Sequence, residues 1–125
     1  ERAAVTHPEQ RHVKRVIAEM GGKNAIIVDD DADLDEAVPA VLRSAFGFQG
    51  QKCSACSRVI VLDSVHDRFV NRLVDAAKGW KLGPSEDPQY HMGALINESA
   101  LAKFQKYASI AKEEGDLAFE SVDSP

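Results

Sequence analysis

Cysteine is scarce in this chain: Cys53 and Cys56 are the only two among 125 residues. A framework of bridges is therefore excluded, and two thiols without partners elsewhere fit a reducing, cytoplasmic compartment. Long apolar runs are also missing. No stretch approaches the roughly 18 uninterrupted apolar residues of a membrane span, and Glu1-Arg2-Ala3-Ala4-Val5 lacks the basic-then-apolar plan of a signal peptide. Basic charge is not in excess either. The net charge is −5, and the only loose group of cations, Arg11, Lys14 and Arg15, reads as solvated helix ends, so no nucleic-acid partner is expected. Neither GxGxxG nor GxxxxGK[ST] occurs, so the chain has no phosphate cradle of its own. No low-complexity tract, internal repeat or internal linker interrupts it.

What is present is an ordinary globular composition, 44% hydrophobic and 28% charged, with enough chain for one modest core. Asn24-Ala25-Ile26-Ile27-Val28 is a continuous apolar run ending in acids, which predicts a strand buried on both faces. Asp33 is the expected cap of the next helix, with Glu36 closing a box-like pair. Leu34, Ala37, Val38, Val41, Leu42, Ala45 and Phe46 trace one helical face, and Pro39 within it should kink the helix or delay its start. Gly47 and Gly50 end that helix. Val59-Ile60-Val61-Leu62 predicts a second buried strand. Ser64 is the expected cap of a helix whose inner face is Val65, Phe69, Val70, Leu73, Val74 and Ala77, ending near Gly79. Residues 83–88 form a turn-rich surface loop. A third helix is expected from about Asn97 to Gly115, and Leu117-Ala118-Phe119 begins another strand. Strands alternating with helices predict an α/β class with parallel-type crossovers.

Several patterns invite chemistry and are better explained without it. The run Asp29, Asp30, Asp31, Asp33 lacks the Gly and Glu that a calcium loop places at its sixth and twelfth positions, so it reads as a solvated strand-to-helix turn. His7, His12, His66 and His91 have no metal-ligand spacing, and no metal is expected. Cys53-Ser54-Ala55-Cys56 is formally a CxxC, but a helix precedes it and a strand follows, the reverse of a thioredoxin-type site. Taken singly, Cys53 is either a buried structural thiol or a reactive one in a polar setting of Gln51, Lys52 and Ser54, with Lys52 and Arg58 near enough in sequence to favour a thiolate. Glu19 taken singly is one solvated carboxylate among many.

The two together carry more. Glu19-Met20-Gly21-Gly22-Lys23 and Phe48-Gln49-Gly50-Gln51-Lys52-Cys53 stand 34 positions apart from Glu19 to Cys53. They resemble, in order and interval, the glutamate and cysteine signatures of the aldehyde dehydrogenase superfamily. The flanking runs, through Ser44-Ala45-Phe46-Gly47 and Ala55-Cys56-Ser57-Arg58, are similar to the branch acting on L-glutamate γ-semialdehyde (1-pyrroline-5-carboxylate). Met20 and Pro39 depart from its usual residues.

The resemblance implies a nucleophile-bearing α/β catalytic domain spanning residues 1–125 and cut at both ends. Residues 1–23 would be a lead-in with the base-bearing turn, and residues 24–125 the nucleophile-bearing portion. It implies NAD-dependent oxidation of the semialdehyde to L-glutamate in proline catabolism. Cys53 would form a thiohemiacetal and then a thioester, and Glu19 would activate the water that releases product. The alkoxide would be held by the Cys53 backbone N–H and an amide outside this chain. Met20 and Gly21 would border the cofactor, and Ser54 would hold the substrate's α-carboxylate. The parent would be a homo-oligomeric enzyme with a separate dinucleotide-binding domain, so these 125 residues alone would bind NAD poorly and turn over little aldehyde. The alternatives are a dehydrogenase for another semialdehyde, or a non-catalytic redox thiol domain using Cys53 and Cys56.

Overall fold

A computed structural model describes residues 5–121; the first four residues of the lead-in and the last four of the chain lie outside the description. The order of elements is strand, helix, strand, helix, helix. β1 spans Asn24–Val28, α1 Leu34–Phe46, β2 Cys56–Val61, α2 Asp63–Lys78 and α3 Glu98–Glu114. β1 and β2 pair in parallel, with Ile26 opposite Val59 and Val28 opposite Val61. A parallel pair cannot be closed by a tight hairpin, and α1 supplies the crossover.

The core lies on one face of this ribbon. Val28, Leu34, Val38, Val41, Val65 and Phe69 form one buried cluster, with Ile26, Val59, Val61 and Leu73 packed around it. On α1 the buried positions are Leu34, Val38, Val41 and Leu42, a stripe at i, i+4, i+7 and i+8. Asp33 caps that helix as expected, its side chain accepting from the Asp35 N–H at 2.8 Å. The Glu36 N–H donates to the Asp33 carbonyl at 3.2 Å, and no Glu36 side-chain bond returns to the cap. The helix starts at Leu34, five residues before Pro39, so the start is not delayed. Proline removes one donor there, and the four buried side chains flanking it outweigh that single loss.

Four expectations need correction. The strands are not buried on both faces: Ile27 is 73% and Ile60 55% exposed, because among the described residues the sheet has two strands and the helices α1 and α2 cover one side. β2 begins at Cys56, earlier than Val59, because the ladder slips between Asn24 and Ala25 and pairs Asn24 with Cys56. Ser64 does not cap α2. The helix starts at Asp63 with Leu62 at its cap position and no side-chain cap bond, since the Leu62 N–H pairs with the Val28 carbonyl and carries the strand straight into the helix. Leu117-Ala118-Phe119 is not a strand; the described residues offer that segment no ladder partner.

α3 has the expected ends. Asn97 caps it by accepting from the Ala100 N–H at 2.9 Å, and the Gly115 N–H closes on the Ala111 carbonyl at 3.0 Å. No α3 residue is buried, and Leu101, Phe104 and Tyr107 stand exposed. Residues 5–23 contain no helix or strand. No helix of the described residues is long and apolar enough to cross a membrane.

Candidate active site

Local chemistry dictates the shape of the cysteine loop. After α1, a short 3-10 turn over Gly47–Gly50 puts Phe48 (φ 55°), Gln49 (φ 57°) and Gly50 (φ 65°) in left-handed backbone. Glycine adopts this freely, whereas the two side-chain-bearing residues are held there at a cost. Alanine at Gly50 would also sit 2.9 Å from the Ala45 carbonyl oxygen. Two glutamine side chains brace the segment against the 93–97 loop. The Ile96 N–H donates to Gln51 Oε1 at 3.2 Å, and Gln49, with its amide turned to satisfy both ends, accepts from the Gly93 N–H at 2.7 Å.

Cys53 and Ser54 are the corner of a tight turn closed by the Ala55 N–H on the Lys52 carbonyl at 3.1 Å. Both are exposed, which answers the first question about Cys53: its thiol is at the surface. Cys56 is buried, and its Sγ donates to the Arg58 carbonyl at 3.2 Å. A turn corner leading into a strand is not a helix N-terminus, so the CxxC lacks the setting of a dithiol exchanger. The Cys53 backbone N–H and the Ser54 hydroxyl have no hydrogen-bond partner among the described residues. Arg58, considered above as a thiolate partner, instead donates to the Lys23 carbonyl at 2.6 Å.

Glu19 and Met20 lie on the exposed lead-in, Met20 at 77%. What brings this lead-in to the cysteine is Gly22: a Cβ built on it would overlap the Cys53 carbonyl oxygen. Three peptide units separate Glu19 from Gly22, so their Cα atoms stand within about 11 Å of one another. Gly21 differs from its neighbour, with nothing within 4 Å of a Cβ built there. Sequence reasoning missed Asn24, whose side-chain amide donates to the Cys53 carbonyl at 2.7 Å and the Ala55 carbonyl at 3.4 Å. A polar residue opening an apolar strand was the available signal.

Other features stand apart from this region. Two surface hollows, one lined by residues 8–11 and one by Lys78, Trp80, Leu82 and Tyr90 among others, include neither Glu19 nor Cys53. Asp29, Asp30 and Asp31 cluster but are exposed, as a solvated turn should be. Asp87 is held below the usual carboxylate range, first by the Gln89 backbone N–H and then by the Gln89 side-chain amide; it belongs to the 84–91 loop.

The sequence pattern of the aldehyde dehydrogenase family matches residues 2–121. The chain belongs to the aldehyde dehydrogenase family. Among curated aldehyde dehydrogenase relatives, a protein of Anoxybacillus flavithermus named 1-pyrroline-5-carboxylate dehydrogenase is 52% identical over 94% of this chain and 23% of its own length. One of Bacillus subtilis with the same name is 49% identical over the same shares. The chain thus spans about a quarter of the length of the curated relatives it matches. In solved structures, proline utilization A of Bdellovibrio bacteriovorus, inactivated by N-propargylglycine, is 56% identical with a TM-score of 0.90, over 94% of this chain and 12% of that one. A 1-pyrroline-5-carboxylate dehydrogenase from Thermus with bound NAD is 36% identical with a TM-score of 0.87, over 98% and 24%. The α/β class is therefore that of an aldehyde dehydrogenase segment.

Proposed function

We propose that this chain carries the nucleophile and the base for NAD-dependent oxidation of L-glutamate γ-semialdehyde, in equilibrium with 1-pyrroline-5-carboxylate, to L-glutamate. The observation that carries the reading is the roughly half-identical match, over 94% of the chain, to relatives named for that substrate. The exposed thiol at the turn corner, beside the lead-in that bears Glu19, suits it chemically.

In this reading the Cys53 thiolate attacks the aldehyde carbon and forms a thiohemiacetal. The unpaired Cys53 N–H is available to the developing alkoxide. Oxidation at that carbon leaves a thioester on Cys53, and Glu19 takes a proton from the water that hydrolyses it, releasing glutamate and the free thiol. The Ser54 hydroxyl, one residue from the nucleophile, offers a donor to the substrate's α-carboxylate. For the cofactor, the open space over Gly21 and the exposed Met20 leave room for a flat ring against the backbone. NAD bound there would supply the acceptor for the hydride, with its electron pair, that leaves the aldehyde carbon. The parent enzyme is taken to be a cytoplasmic homo-oligomer acting on a small molecule in proline catabolism.

The test uses the full-length enzyme. Oxidation of 1-pyrroline-5-carboxylate should exceed that of succinic semialdehyde in kcat/KM, and Cys53→Ala should lower kcat by about a thousandfold or more. Glu19→Gln should let an acyl-enzyme mass accumulate on Cys53. A preference for succinic semialdehyde would reassign the substrate. Full turnover in Cys53→Ala would remove the mechanism.

A further inference from the structure

We propose that Asn24 is a positioning residue that sets the orientation of the nucleophile's peptide, an inference that rests on the reading of Cys53 as nucleophile. Its Nδ2 holds the carbonyls of Cys53 and Ala55, at 2.7 Å and 3.4 Å, so one amide grips the outgoing half of the turn that presents the thiol. Asn24 is itself held at its other end. Its backbone carbonyl accepts from Ser57 Oγ at 3.2 Å, where the β1–β2 ladder slips by a residue. Gly22 keeps the approach open: a Cβ there would overlap the Cys53 carbonyl oxygen and stand 2.9 Å from Asn24 Nδ2.

The peptide plane explains why this contact bears on chemistry. A trans peptide points its C=O and the following N–H in opposite directions. Fixing the Cys53 carbonyl toward Asn24 therefore turns the Ser54 N–H the other way, and that N–H has no hydrogen-bond partner among the described residues. Without the amide, only the Ala55 N–H on the Lys52 carbonyl restrains the Cys53–Ser54 plane, and the turn that presents the thiol is held less firmly. Misplacement of a reacting group by about 1 Å can cost about 100-fold in rate.

Alanine at position 24 removes the amide donor, whereas glutamine keeps one on a longer side chain that the exposed position can accommodate. In the full-length enzyme, Asn24→Ala should lower kcat about 10- to 100-fold with KM little changed. It should also slow alkylation of Cys53 by iodoacetamide in the NAD-free protein, followed by mass at Cys53. Asn24→Gln should recover part of both losses. Equal behaviour of the two variants, or wild-type kcat and alkylation in Asn24→Ala, would overturn the proposal. If Asn24→Ala does not fold, Asn24→Leu keeps the approximate shape, removes the donor without adding charge, and is read against the same outcomes. Alkylation needs no aldehyde oxidation, so altered alkylation in a protein whose unmutated form oxidises no semialdehyde would leave the positioning intact and remove the proposed function.

Discussion

The middle of the chain and its two flanks treat apolar residues in opposite ways. Between Val28 and Ala76, valines, leucines and a phenylalanine from β1, α1, β2 and α2 enclose one another, and Phe69 and Val28 are each 1% exposed. In the lead-in and on α3 the same residue types face outward, with Val13 at 89%, Ile17 at 88% and Phe104 at 61%. Apolar content does not separate α3 from the middle, although the lead-in is poorer in apolar residues. What separates them is whether the topology returns a second apolar surface to the first. The β1-α1-β2-α2 order does so between Asn24 and Lys78, and α3 meets no such partner among the described residues.

That contrast sets an ordered series of tests on this chain. The largest effect should come from the enclosed side: Phe69→Ala should cost about 3–5 kcal/mol of unfolding free energy, read by urea denaturation. A loss under about 1 kcal/mol would mean that the core is looser than its burial suggests. Next comes the cap that starts α1. Asp33→Ala should cost about 1 kcal/mol in the same assay, and an unchanged midpoint would show the Asp35 contact to be without energetic weight. The smallest effect should be on α3, where Phe104→Ala should stay within about 0.5 kcal/mol of the parent. A loss comparable to that of Phe69→Ala would erase the distinction between middle and flank.

The legibility of the fold follows the same line. α1 and α3 were readable because their caps, Asp33 and Asn97, and their periodic faces are local signals. The strands were readable as strands, but not their exposure: a run such as Ile26-Ile27-Val28 carries no mark of whether a sheet has a layer on one side or two. Leu62 was read as strand and Ser64 as cap because the single bond from Leu62 to Val28, which carries β2 directly into α2, is a tertiary contact. At the candidate site, Cys53 and Glu19 stood out because their neighbours form two signatures at a fixed interval. Asn24 did not, since its partners are backbone carbonyls 29 and 31 residues away, and backbone groups leave no letter in a sequence.

The two-stranded ribbon has a consequence for handling the isolated polypeptide. Among the described residues each strand has a ladder partner on one side only, so both outer margins carry unused N–H and C=O groups beside the bare Ile27 and Ile60 surface. Such margins are templates for a neighbouring molecule's strand. Edge-to-edge clumping at high concentration, rather than thermal melting, should set the ceiling on how much of this segment stays dispersed.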